Sequence, residues 1–147
     1  MSGNTDLIKL YSGRILALAA DIPHTERLEA PQASVKKRSP LCGSIVTVDV
    51  NMHEGKISAF GQDVKACALG QASASVVGAA ILGCTADQAF SARDQLRSLL
   101  KGCGVIPDAP FEGFEVFLPA SAYKNRHSSI LLAIEATCEA ITEINSA

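Results

Sequence analysis

Residues 44–66 read SIVTVDVNMHEGKISAFGQDVKA. In the first nine, Val46, Val48, Val50 and Met52 recur at every second position, with Thr47, Asp49 and Asn51 between them. A period of two puts these sets on opposite faces, so the stretch reads as a half-buried strand. HEGK is a turn, and ISAFGQDVKA is a second strand returning antiparallel. Its alternation slips near Gly61, which predicts a bulge there. A hairpin with one apolar face must be covered by something, and the rest of the chain reads mostly as helix.

Working outward, a short first strand is expected near Ser34–Arg38. Residues 21–33 are a loop carrying Pro23 and Pro31, and residues 6–20 a helix with Asp6 as its N-cap. Beyond the hairpin, a helix opens at Cys67 and runs to about Leu82. TADQ fits a capping box, with Thr85 capping and Gln88 three residues on, for a helix reaching about Lys101. GCGVIPDAP is a loop, and FEGFEVFLPASAYKNR is irregular or partly helical. A last helix starts near His127, where Ile130, Ile134, Cys138 and Ile141 make one apolar stripe. Neither a repeat nor a linker divides the chain, so residues 1–147 are expected to be one domain. The predicted class is α+β: a small antiparallel sheet of about three strands with helices on one face.

The 147 residues are 48% hydrophobic and 19% charged, which suits a globular core. Aromatics are few and Trp is absent, so aliphatic and Ala contacts are expected to fill that core. A net charge of -2 without an extended basic stripe argues against nucleic acid as the main partner. The short cluster KKR, Lys36 to Arg38, reads as solvated surface. The uncharged stretch from Ala66 to Ala86 is long enough to cross a membrane. Its Gly, Ser, Gln and Thr content fits a buried helix better, and no membrane partner is expected. In MSGNTDLIKLYSGRILALAA, Lys9 and Arg14 interrupt the apolar run, so it reads as an amphipathic helix rather than a signal peptide. The expected location is cytoplasmic.

Five cysteines with no CxxC pair are not a disulfide framework. Any metal site must be assembled from residues far apart in sequence. Cys67 follows a strand and opens a helix, whose N-terminal end favours negative charge and so suits a thiolate. Cys42, in SPLCGS, precedes the first strand of the hairpin. Cys42 and Ser44 share the parity of Val46 and Val48 and should point to the helix-covered face. His127 stands at the start of the last helix. Two thiols and an imidazole at three element ends suit zinc, iron or an iron–sulfur cluster. Asp63 and Lys65 share the parity of Cys67; Asp63 reads first as an exposed strand charge and second as a candidate fourth ligand. Cys84, Cys103 and Cys138 read as inert, and His24 and His53 as surface residues.

CGS leading into a strand, CALGQASAS after the hairpin and RHSSILLAIEA opening the last helix together resemble the NifU/IscU family of iron–sulfur cluster assembly scaffolds. That family carries an A-C-G-D turn, a G-C-x-x-x-x-A-S-x-S helix start and a late H-C-S-x-L. The resemblance spans about residues 5 to 143. It implies that Cys42, Cys67 and His127 are ligands of iron, of a [2Fe–2S] cluster or of zinc. It implies a non-enzymatic carrier that receives sulfur from a cysteine desulfurase and passes cargo to client proteins. Three positions depart from the pattern. Ser44 stands for the family's aspartate and Ser128 for its late cysteine, making both possible additional oxygen ligands. LPASAYK keeps Leu118, Pro119 and Lys124 of the chaperone-docking motif at altered spacing. These departures leave two alternatives: a zinc-binding or regulatory paralogue without cluster assembly, and a thiol-dependent enzyme using Cys67 and His127.

Overall fold

A computed structural model describes residues 12–41 and 43–147. Its order is α1 (Gly13–Ala20), β1 (Ala33–Arg38), β2 (Ile45–His53), β3 (Lys56–Lys65), α2 (Ala68–Ala80), α3 (Ala86–Leu100), a 3-10 segment (Glu112–Ala122), a short 3-10 turn (Lys124–Arg126) and α4 (His127–Ser146). The three strands form one antiparallel sheet in the order β1-β2-β3. The fold is α+β, as the alternation of the hairpin predicts.

Of the helix expected over 6–20, the described part is Gly13–Ala20. Helix α1 begins behind Ser12, whose hydroxyl accepts from the Ile15 N–H at 3.3 Å, the bond of an N-cap. Asp6, the expected cap, lies outside the described residues.

Val46, Val48 and Val50 are fully buried beneath the helices. Helix α4 lies on β1 and β2, and α2 packs between α1 and α4. The expected stripe on α4 (Ile130, Ile134, Cys138 and Ile141) is buried throughout. The capping box of α3 forms: Thr85 Oγ1 accepts from Gln88 N at 3.2 Å, and Gln88 Oε1 accepts from Thr85 N at 2.9 Å. The uncharged stretch after Cys67 is the buried helix α2. Among the described residues no helix is long and apolar enough to cross a membrane.

The core is not purely aliphatic. Phe111, Phe114 and Phe117 are almost completely buried, the first pair stacked at 6.0 Å. Three of the chain's five phenylalanines are thus concentrated on one 3-10 segment and its N-cap, where each large ring contributes burial of roughly 1.5–3 kcal/mol.

The bulge lies elsewhere than expected. The register passes from Asn51 opposite Ala59 to Met52 opposite Ile57, so Ser58 is the extra residue. Gly61 breaks the alternation for another reason. The segment around Glu26 crosses the outer sheet face there, and a Cβ at position 61 would collide with the Glu26 carbonyl and lie 3.2 Å from Leu28 N. The same segment donates and receives: Gln62 N–H binds His24 O at 2.8 Å, and Leu28 N–H binds Asp49 Oδ2 at 3.0 Å. Asp49, expected on a solvated face, is fully buried. Arg27 Nε and Nη2 bind its two oxygens at 2.6 and 3.0 Å, and Ser34 Oγ adds a bond at 2.7 Å. Burial alone would push the Asp49 carboxyl up, but the hydrogen bonds from Arg27, Ser34 and Leu28 and the guanidinium charge outweigh it and hold it below the usual carboxylate range.

Candidate functional site

Cys67 is the N-cap of α2, in extended conformation, with no side-chain capping bond. Its sulfur is therefore not committed to the helix it opens. Sγ lies 3.2 Å from Ser129 Oγ on the first turn of α4. The Cys67 N–H donates to Ser44 Oγ at 3.4 Å, and Ser44 Oγ is 3.0 Å from Ser129 Oγ. Ser44 and Ser129 are buried, whereas Cys67 is half-buried. The turn that leads into β2, the junction between β3 and α2, and the start of α4 thus meet at one thiol and two hydroxyls.

The small residues after Cys67 permit this meeting. A Cβ at Gly70 would stand 2.8 Å from both Ser129 Oγ and the Ala66 methyl, so only glycine lets α2 approach α4 this closely. Further along, Ser73 Oγ donates to Ile130 O at 2.5 Å, tying the same two helices. Gly78 lets α2 lie against β3, where Gln62 Nε2 donates to Ala74 O and Pro23 O at 3.1 Å each.

Ser128 takes a different place from Ser129: its Oγ is 2.7 Å from Ser39 Oγ, at the end of β1. His127, half-buried, has Nε2 2.8 Å from Ala120 O, which fixes the imidazole against the 3-10 segment. Cys42 lies outside the described residues. The turn between β1 and β2 is closed by Ser39 N–H to Ser44 O at 2.8 Å and Gly43 N–H to Ser39 O at 3.1 Å. Gly43 has φ 71°, a conformation that glycine takes without strain. Asp63 stands opposite Thr47 on the outer face of the sheet, not on the helix-covered face that Ser44 shares with Val46. Among the described residues, no group of three or more His, Cys, Asp or Glu is placed to hold a metal ion.

Ser129 is the residue that sequence reasoning passed over. The only signal for it was a second serine following Ser128, with a glycine three residues after Cys67 to admit it.

The remaining thiols are held apart from this chemistry. Cys84 is buried with Sγ donating to Ala80 O at 3.1 Å, and burial pushes its thiol up. Cys138 is buried in the stripe of α4, and burial pushes its thiol up to about 12. Cys103 is exposed on the loop after α3. His24 packs edge-on to Phe60, and His53 is exposed at the hairpin turn.

A sheet covered by helices, with a half-buried thiol where three element ends converge, defines a thiol-bearing α+β domain. No family model matches the chain, and no curated protein matches it significantly. Solved structures do. The N-terminal part of a nitrogen-fixing NifU-like protein from Brucella abortus has 39% identity and a TM-score of 0.93, over 96% of this chain and 98% of that one. The chain belongs to this NifU-like family. A protein assigned as an iron–sulfur cluster assembly scaffold for the SUF system of Fervidobacterium islandicum AW-1 has 21% identity and a TM-score of 0.78, over 91% of this chain and 98% of that one. A structure of a hypothetical protein, at 22% identity, has a TM-score of 0.78 over 92% of this chain. These last two show a shared fold.

Proposed function

We propose that this protein is an iron–sulfur cluster assembly scaffold that holds iron or a labile [2Fe–2S] cluster and hands it on, without turnover of its own. The observation that carries this is the setting of Cys67: a half-buried thiol at the N-terminus of α2, facing the hydroxyl of Ser129 rather than capping its helix. Cys42, Cys67 and His127 supply the sulfur and nitrogen donors for the cargo, and Ser44, Ser129 and Ser128 line the site with oxygen. Sulfur comes from a cysteine desulfurase. The Cys67 thiolate attacks the terminal sulfur of the donor's cysteine persulfide. The donor's S–S bond breaks, its cysteine leaves as a thiolate, and Cys67 becomes the persulfide, with no net oxidation. Fe–S client proteins receive the finished cargo. The setting is cytoplasmic, and residues 1–147 act as one domain.

A second reading is a zinc-binding or regulatory paralogue. Ser44 and Ser128 favour it, because the two positions where the resemblance expects a carboxylate and a thiol carry hydroxyls that are engaged with other serines. Metal and sulfide analysis of protein purified anaerobically, with its visible spectrum, separates the readings. Iron and sulfide in equal amounts with a sulfur-to-iron charge-transfer band support the scaffold. Stoichiometric zinc without colour supports the paralogue. A metal-free protein with one hyper-reactive cysteine points to a thiol enzyme and overturns both.

A further inference from the structure

Three stretches of chain meet at the end of the molecule that bears Cys67: residues 36–46, 64–70 and 124–130. They contain six of the 13 Lys and Arg residues and none of the 15 Asp and Glu residues. The six cations are Lys36, Lys37, Arg38, Lys65, Lys124 and Arg126.

The fold gathers these charges around the site. Arg38, Ile45 and Lys65 form one row across the outer sheet face, and Lys36, Thr47 and Asp63 form the next. Lys36 and Lys65 border, with Arg27 and Asp63, a shallow hollow of about 380 Å³. The row ends where β1 turns at Ser39, whose hydroxyl meets Ser128 on α4. Arg126 and Lys124 stand immediately before that turn of α4. In the same β1–β2 turn Leu41 is 68% exposed.

Other arginines face carboxylates: Arg14 with Glu115, Arg27 with Asp49, Arg93 with Asp94 and Arg97 with Glu135. Of the six cations only Lys37 does, pairing with Glu139 at 2.7 Å. Among the described residues Lys36, Arg38, Lys65, Lys124 and Arg126 make no ion pair; of the two acids on the outer face of the strands, Asp49 is paired with Arg27, which leaves Asp63. A chain of net charge -2 thus keeps a rim with an excess of positive charge around its thiol.

We infer that the cysteine desulfurase which loads Cys67 docks an acidic face on this rim, covering Leu41. The inference rests on the scaffold reading, since a carrier is filled and emptied only by contact at its sulfur. Complementary charge around an apolar anchor is the pattern of a transient protein interface, in which steering sets the association rate. The exposed apolar group in the turn is a leucine, not an aromatic ring on which a base could stack, which favours a protein over a nucleic acid.

The test uses the full chain and the cysteine desulfurase of the same organism, with association followed by stopped-flow fluorescence at two ionic strengths. The variant Lys36→Glu/Arg38→Glu/Lys65→Glu changes only exposed side chains. It should slow association by about tenfold or more and flatten the salt dependence. The control Lys56→Glu/Lys101→Glu, exposed at the hairpin turn and the end of α3, should leave it unchanged. Circular dichroism and a thermal melt confirm that both variants fold. Equal, salt-independent association of native and triple variant overturns the inference and leaves the scaffold reading standing. Failure of the native protein to bind the desulfurase overturns both the docking face and that partner. Binding of a 20-nucleotide single-stranded DNA, lost in the triple variant, without desulfurase binding overturns it in favour of nucleic acid.

Discussion

The sulfur of Cys67 lies 3.2 Å from the hydroxyl oxygen of Ser129, 62 residues later in the chain. A thiolate only accepts hydrogen bonds, so with Cys67 ionised the Ser129 hydroxyl donates to it. The contact exists because α2 and α4 cross at Gly70. Gly70→Ala would bring a methyl 2.8 Å from Ser129 Oγ and from the Ala66 methyl. Overpacking of that kind costs about 1–3 kcal/mol, which outweighs the roughly 1 kcal/mol that alanine gains over glycine inside a helix. Gly70→Ala is expected to lower the urea midpoint. A midpoint equal to or above the native one would mean that the helices do not approach as described.

Asp49 supplies a pH dependence with a definite sign. Its carboxyl is held below the usual range in the fold, so it stabilises the folded state above about pH 4. That stabilisation is lost as pH falls through its folded value. Asp49→Asn removes charge-assisted bonds from Arg27, Ser34 and Leu28 and should cost about 2 kcal/mol at pH 7. Denaturation at pH 7 and pH 3 checks this: the gap between native and variant should narrow at the lower pH. A gap that is constant with pH would assign the loss to packing instead.

The alternation of SIVTVDVNM was enough to orient Val46, Val48 and Val50, because a period of two has one meaning on a sheet with one covered face. The capping box at Thr85 and Gln88 was legible for a similar reason: the two residues satisfy each other locally. Asp49 was misleading because what covers it comes from residues 24–28, a segment with no periodicity to reveal where it crosses. Gly61 carried a real signal, but of a close approach by the Glu26 backbone rather than of a bulge. At the site, Cys67 was legible from its place between strand and helix. Ser129 was not, because sequence spacing cannot say which of two adjacent serines a helix's first turn directs at a thiol.

The four described cysteines should separate under alkylation. Cys84 and Cys138 are buried, and burial pushes both thiols up, Cys138 to about 12, so neither forms reactive thiolate near neutrality. Brief treatment of the folded protein with iodoacetamide at pH 7.5, read by peptide mass spectrometry, should label Cys103 and Cys67 and spare the other two. Labelling of Cys138 at the rate of Cys103 would show that α4 opens from the sheet far more readily than its burial implies. Unfolding in urea should make all of them react.

Ser128→Cys places a soft donor next to His127, where the NifU/IscU resemblance expects one. Its present partner is Ser39 at 2.7 Å, at the end of β1, so the new sulfur would join the end of the molecule where Ser44, Ser129 and Cys67 meet. A further thiolate should hold a cluster better than a hydroxyl, whose proton is too tightly bound to leave easily. The expected result is a longer-lived visible absorbance after anaerobic reconstitution, with and without a chelator, and Cys138→Ala as an unchanged control. Ser44→Asp behaves differently. Ser44 is 3% exposed and set between Ser129 and the Cys67 amide, so a carboxylate there loses its hydration and should destabilise the metal-free protein by a few kcal/mol. Bound metal should recover part of that loss, because a cation is the partner the buried carboxylate lacks. The variant Ser44→Asp/Ser128→Cys is therefore expected to melt below the native protein when empty and closer to it when loaded. Equal decay of absorbance in native and Ser128→Cys protein would remove position 128 from the ligand set, leaving Ser129 as the α4 side chain that meets Cys67.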